Sequence, residues 1–224
     1  MVYILNIETA TKNCSVSVGA NGTTIAFKEL SEEQFNHAEK LHVFIKDVLN
    51  QASLDLSQLH AVAVSKGPGS YTGLRIGVSA AKGLCYALDI PLIAVDTLAV
   101  LAAQISVANG LIIPMIDARR MEVFTQQFNE HNKAITPAEA LIIDETAFAD
   151  KSGNIHLVGD GALKCKTVLT SDTFVFHEDV VYPSAKQMSP LSYEKFQQND
   201  FVDVAYFEPY YLKDFMLTTK KITN

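Results

Sequence analysis

The sequence predicts an α/β protein: a mixed β-sheet with helices packed on it, and a second half that echoes the same order in shorter form. Three observations carry this reading. Asn21-Gly22 between two β-rich runs is a strong two-residue hairpin signal, so the chain opens with antiparallel strands. From about residue 35 the apolar period changes to 3.6, and short β-rich runs then alternate with helical stretches. Hairpin strands followed by alternation describe one mixed sheet with crossover helices on it.

The opening strands are residues 2–8 (VYILNIE), 14–20 (CSVSVGA) and 24–30 (TIAFKEL). Leu41, Phe44, Ile45, Val48, Leu49 and Ala52 recur at helical spacing and predict an amphipathic helix over about 35–52, with Ser31-x-x-Gln34 as its capping signal. Residues 60–65 (HAVAVS) read as a strand, then come a glycine-rich loop and a helix over roughly 72–88. Pro91 opens the strand PLIAV, and a helix follows from about Thr97 to Val107. Residues 1–107 are therefore a first lobe of order β-β-β-α-β-α-β-α, and 108–224 a second, eroded one. In the second lobe, 111–118 and 121–128 are strands with Arg119-Arg120 at their turn. Residues 155–159 form another strand, Asp160 to Leu169 a helix, and Pro183 precedes a helix over about 184–198. The tail, with Pro209-Tyr210-Tyr211 and Lys220-Lys221, is expected to be irregular, to pack back on the first lobe and to fray at its end. No sequence repeat accompanies the echo, which rests on element order alone.

Composition narrows the function classes. A formal net charge of −7 with only two short basic pairs, Arg119-Arg120 and Lys220-Lys221, makes the chain a poor nucleic-acid binder alone. Cys14, Cys85 and Cys165 are odd in number and far apart, which argues for reduced thiols in a cytoplasmic protein. The start MVYILNIETA has no basic n-region and reads as a buried strand, not a signal peptide. No apolar window is long enough to predict a membrane span.

The stretch SKGPGSYTGLRIG, residues 65–77, looks like a phosphate-cradling loop entering a helix. A phosphate-binding P-loop would need GxxxxGK[ST], and no lysine stands in that place. A dinucleotide fingerprint would follow the first strand, whereas this loop follows the fourth. A structural role fits better. Gly67 and Gly69 around Pro68 shape a turn, Ser70 or Thr72 can cap the helix, and Gly73, Gly77, Ala80, Ala81 and Gly83 keep one face thin. So many small residues imply a close backbone neighbour, either the sheet beneath or a partner's helix. Arg75 in the first turn opposes the helix dipole and is expected to be solvated or to meet an acid or an anion.

At this point the residues match a known family. GPGSYTGLRIG, the opening ILNIETATKNCSVSV, HAEKL at 37–41, AKGL at 81–84 and DARRMEVF at 117–124 resemble the TsaB family along the whole chain, densely over 1–124. The resemblance implies the two-lobed fold of actin, Hsp70 and sugar kinases, which is ribonuclease H-like. It implies a non-catalytic scaffold in the complex that forms threonylcarbamoyladenosine in tRNA, dimerising with the catalytic TsaD subunit through first-lobe helices. TsaE, an ATPase, joins that complex, and tRNA is met only through it. ATP and a metal are implied for the partner subunits, with no cofactor in the isolated chain. Self-association is a further expectation when TsaD is absent. The interface candidates are Leu41, Ile45, Val48, Gly77, Ala80, Ala81 and Leu84. Periodicity alone does not separate a partner-facing side from one that packs only on its own sheet.

A vestigial nucleotide cleft would comprise Glu8, Thr9, Thr11, Gly159 and Gly161. The superfamily turn D-x-G-[ST] reads Glu8-Thr9-Ala10-Thr11 here, without its glycine and with a longer acid, where most relatives in the TsaB family have Asp. Gly159-Asp160-Gly161 could face an anion, though Asp160 would repel it. TsaD's metal-binding histidine pair falls at Asp96 to Val100, where no imidazole is available. No two of the six histidines have HxxxH spacing, and His37 and His42 diverge round a helix, so no metal site is expected and the histidines read as solvated or capping. Ser70 lies in no nucleophile elbow, and Cys85 is expected to be a buried thiol. The alternative function is an ATP-dependent phosphotransferase on the same fold, which would need Glu8, Asp96, Asp117 or Asp160 facing the cleft.

Overall fold

The computed structural model describes residues 1–31 and 37–213. The Ser31-x-x-Gln34 cap runs past the described residues, and so does the far end of the tail with Lys220-Lys221.

Two five-stranded mixed sheets form the scaffold. The first contains β1 (Tyr3–Glu8), β2 (Asn13–Ala20), β3 (Thr23–Ser31), β4 (Ala61–Ser65) and β5 (Leu92–Val95), in the order β3-β2-β1-β4-β5. β1 to β3 are antiparallel, and β4 and β5 run parallel to β1. The second contains β6 (Leu111–Asp117), β7 (Glu122–Thr125), β8 (Glu139–Ile142), β9 (Ile155–Val158) and β10 (Phe174–His177), in the order β10-β9-β6-β7-β8. Read from its other edge, this is the first sheet again, with the same strand senses. The helix joining third and fourth strands is α1 (His37–Ala52) in the first half, whereas turns occupy the equivalent stretch of the second. The helix after the fourth strand is α2 (Tyr71–Leu88) in the first half and the short α4 (Asp160–Cys165) in the second.

Burial follows the strand alternation. Leu5, Ile7, Val16 and Val18 face α1 and α2, while Ile4, Ala61, Ala63, Ile93 and Val95 face the other way. That second face is covered by residues far along the chain, namely Ala185, Met188 and their neighbours in α5 (Met188–Gln197). The α5 contact includes a paired polar group: Asn6 donates to Ser189 Oγ at 3.3 Å and accepts from Ser192 Oγ at 2.6 Å. The helix α3 (Thr97–Ala102) lies between the sheets. Val100 packs towards the first sheet, and Leu98 and Leu101 meet Ile112, Ile116, Phe124 and Phe128 of the second half.

Beyond α5 the chain runs back over the first lobe as an irregular strap. Val202 N donates to Leu92 O at 2.9 Å, Tyr210 N donates to Lys66 O at 2.7 Å, and Lys82 Nζ holds the carbonyls of Ala205 and Phe207. Leu212 enters the cluster between the sheets, and Lys213 pairs with Glu122 of the second.

Several expected elements are corrected. The helix expected to reach Val107 ends at Ala102, the one expected to reach Leu169 ends at Cys165, and the strand 121–128 narrows to Glu122–Thr125. β8 and β10 were not expected. Each is four residues long, too short for its period to show against flanking turns.

Candidate functional site

The vestigial cleft that the resemblance implies lies at the turn between the first two strands, so the hydrogen bonds of that turn decide what the site can do. Ala10 O accepts from Ser70 N at 2.7 Å, and Thr9 Oγ1 donates to Gly73 O at 2.8 Å. Ser70, not Thr72, is the α2 cap, its hydroxyl accepting from Gly73 N at 3.3 Å. A Cβ at Gly73 would overlap the Thr9 carbonyl oxygen, one at Gly77 the Thr9 hydroxyl, and one at Gly69 the Ala10 carbonyl. The close neighbour of the thin helix face is therefore this chain's own turn. Thr11 Oγ1 accepts from Asn13 N at 3.4 Å, and Thr11 O accepts from the buried His37 at 2.7 Å, so His37 is neither solvated nor a ligand on the surface.

Glu8 closes the turn from beneath. It is wholly buried, and its Oε1 accepts from Ala10 N at 2.6 Å. Burial pushes its carboxyl up from the ordinary 4.5 to about 7, against the opposing pull of the Ala10 amide and the Ser65 hydroxyl. The amide that could meet a phosphate thus serves the chain's own carboxyl.

The second lobe repeats this internal closure. Gly159 has a φ of +106°, donates its N–H to Val180 O at 2.8 Å, and packs so closely on Met115 O that a Cβ would overlap it. Gly161 also lies against Met115 O, where a Cβ would come within 2.9 Å. Asp160 Oδ1 accepts from Asp117 N at 3.0 Å, and burial raises its pKa. Asp117 pairs with Lys164, and Asp96 pairs with Lys66 at 3.1 Å. All four carboxylates of the phosphotransferase alternative are therefore engaged within the chain.

The interface candidates need correction. Leu41, Ile45, Val48, Gly77 and Ala81 are buried against the chain's own first sheet and turn, so they offer no surface to a partner. Ala80 and Leu84 are half-buried on the same cluster. The open surface lies on the other sides of these helices. Val43 is 52% exposed on α1 and Tyr86 is 85% exposed on α2. Near the start of α2, Tyr71, Thr72, Arg75, Ile76 and Ser79 line a shallow depression of about 420 Å³. Among the described residues Arg75 meets no acid: its Nη1 donates to Tyr71 OH at 2.9 Å, and its guanidinium lies over that ring. Tyr211 from the strap packs on the same tyrosine, with centroids 4.9 Å apart. Gly83 is exposed, and a Cβ there would meet nothing within 4 Å. Apolar periodicity finds the side of a helix that packs inward, which is why Val43 and Tyr86 were missed, and Gly83, expected on the thin face with Gly73 and Gly77, lies on the open side instead. Tyr86 lying off that stripe was the available signal.

Cys14, Cys85 and Cys165 are free and buried, and burial pushes the first two thiols up to about 11. His156 and His177 share a hydrogen bond at 3.0 Å between strands. Among the described residues no group of three or more His, Cys, Asp or Glu could hold a metal, and no helix is long and apolar enough to cross a membrane.

Comparison with known proteins agrees with this architecture. The family model described as TsaD: tRNA N6-adenosine threonylcarbamoyltransferase matches residues 31–214. A relative from Escherichia coli (strain K12), tRNA threonylcarbamoyladenosine biosynthesis protein TsaB, is 31% identical over 220 residues, which is 94% of each chain. A Bacillus subtilis (strain 168) protein of the same description is 38% identical over 129 residues, 58% of this chain and 56% of its own. The solved structure of YeaZ from Pseudomonas aeruginosa superposes with a TM-score of 0.83 at 24% identity, covering 95% of this chain and 100% of that one. The two-lobed α/β fold that the resemblance implied, a mixed sheet with packed helices in each lobe, is the fold observed. With 31% identity to the Escherichia coli protein over 94% of each chain, this chain belongs to the TsaB family.

Proposed function

We propose that the chain is a non-catalytic, scaffolding subunit of the complex that forms threonylcarbamoyladenosine in tRNA, and that it binds the catalytic threonylcarbamoyltransferase subunit through the open faces of α1 and α2. The relatives' names support the pathway, and the family model shows that this chain shares the build of the threonylcarbamoyltransferase, which supports a pairing of like subunits. The observation that carries the non-catalytic reading is the β1–β2 turn. Its hydroxyl at Thr9 and its amide at Ala10 are spent on Gly73 and Glu8, and the start of α2 packs so closely on it that a Cβ at Gly69, Gly73 or Gly77 would overlap it. On this reading ATP and metal chemistry belong to the partner subunits, among them an ATPase of the TsaE kind. The setting is the cytoplasm, tRNA is met in the assembled complex, and the same helix surface allows self-association when the partner is absent.

The test is co-expression of the tagged chain with its host's threonylcarbamoyltransferase, followed by size-exclusion chromatography. A stable complex is expected. Gly83→Arg, which has open space at its Cβ, should leave the fold intact and disrupt that complex. Separate elution of the unaltered pair, or micromolar ATP binding by the isolated chain in calorimetry, would sink the reading.

A further inference from the structure

The DARRMEVF stretch carries a feature that the scaffold role does not use. The chain has three arginines, and two of them stand side by side in the β6–β7 turn. Both are exposed and both are left-handed, with φ of 70° at Arg119 and 51° at Arg120. Asn and Gly occupy such positions readily, whereas other L-residues are disfavoured there by contact of Cβ with the backbone. Side chains held against a backbone preference point to a use for the side chains.

Their surroundings leave both guanidiniums available. Asp117 is paired with Lys164 and accepts from Arg119 N at 2.8 Å, Glu122 is paired with Lys213, and Asp160 accepts from Asp117 N. Among the described residues no carboxylate forms an ion pair with Arg119 or Arg120. The guanidinium fork fits phosphate oxygens in a bidentate manner, which lysine cannot do. A chain of net charge −7 repels a polyanion in general, so any contact with one must be local and strongly basic.

We propose that Arg119 and Arg120 contact phosphate groups of the tRNA when this chain is assembled with its catalytic subunit. The inference rests on the function proposed above and adds a direct RNA contact to it. The test uses the co-purified complex and a labelled tRNA transcript, with binding measured across a salt series. Arg119→Asn with Arg120→Gly is expected to keep the complex together and to melt no lower than the parent. It should weaken tRNA binding by roughly tenfold or more and reduce the salt slope by about two, one per lost phosphate contact. Arg119→Lys with Arg120→Lys should fall between the two. Unchanged affinity and slope in an intact complex would overturn the inference alone. Loss of the complex in the Asn-Gly variant would also overturn it, by making the turn a protein contact. Displacement of tRNA by ATP from the parent but not from the variant would reassign the turn to a free nucleotide. Failure of the unaltered chain to join the complex would overturn the functional reading and this inference with it.

Discussion

Glu8 shows how one buried group sets a property of the whole chain. Its carboxyl is held at about 7 in the folded state against an ordinary 4.5. Between these values the folded chain keeps a proton that the unfolded chain releases, so stability falls as pH rises from 4.5 to 7 and stays reduced above that. At about 1.4 kcal/mol per unit, the full loss is on the order of 3 kcal/mol. Glu8→Gln keeps an acceptor for the Ala10 amide and removes the charge. It is expected to be more stable than the parent at pH 8 by a comparable amount and to match it closely at pH 4.5, measured by urea unfolding. Equal pH slopes for the two proteins would refute the assignment. Glu8 was singled out through the resemblance, which compares the turn after the first strand with a pattern that has a glycine where this chain has Ala10. Its proton was not legible, since burial and the engaged Ala10 amide are tertiary facts.

At the scale of elements, α2 has two faces with opposite tolerances. Gly73→Ala forces a methyl into the Thr9 carbonyl and should destabilise the chain by roughly 2 kcal/mol or more. Gly83→Ala meets nothing and should stabilise it by about 1 kcal/mol, the ordinary gain from replacing glycine inside a helix. Thermal melts of the two variants should therefore shift in opposite directions. Shifts of the same sign would mean that the helix is not seated as described. Periodicity located α1, because it has a long apolar stripe, and the helix expected after the glycine loop over roughly 72–88 is α2 almost to the residue. The same stripe misdirected the choice of partner surface. Leu41, Ile45 and Val48 are conspicuous in sequence because they are core, while Val43 and Tyr86 look incidental. β8 and β10 left no such stripe to read.

At the scale of the molecule, the two sheets share one topology, and each is covered in part by a segment of the other half: α5 closes the first and α3 packs on the second. The helix α5 and the strap from Val202 to Lys213 tie the end of the described chain to β5, to the Lys66–Gly67 loop and to Glu122. Truncation after Asn199 is expected to lower the melting temperature and to speed amide exchange around Lys66 to Ser70, where Tyr210 lies. Exchange there unchanged by truncation would show that the strap merely rests on the loop.

The cover on the first sheet has a consequence for how the protein is made. Ile4, Ala61, Ala63 and Ile93 lie on a face that Ala185 and Met188 close, so the first lobe leaves the ribosome with that face open. It stays open until nearly the whole chain has been synthesised. During that interval the nascent chain carries an apolar sheet face without its lid, the condition in which partly made proteins aggregate or engage chaperones. The last third of the sequence therefore governs whether the first third survives its own synthesis.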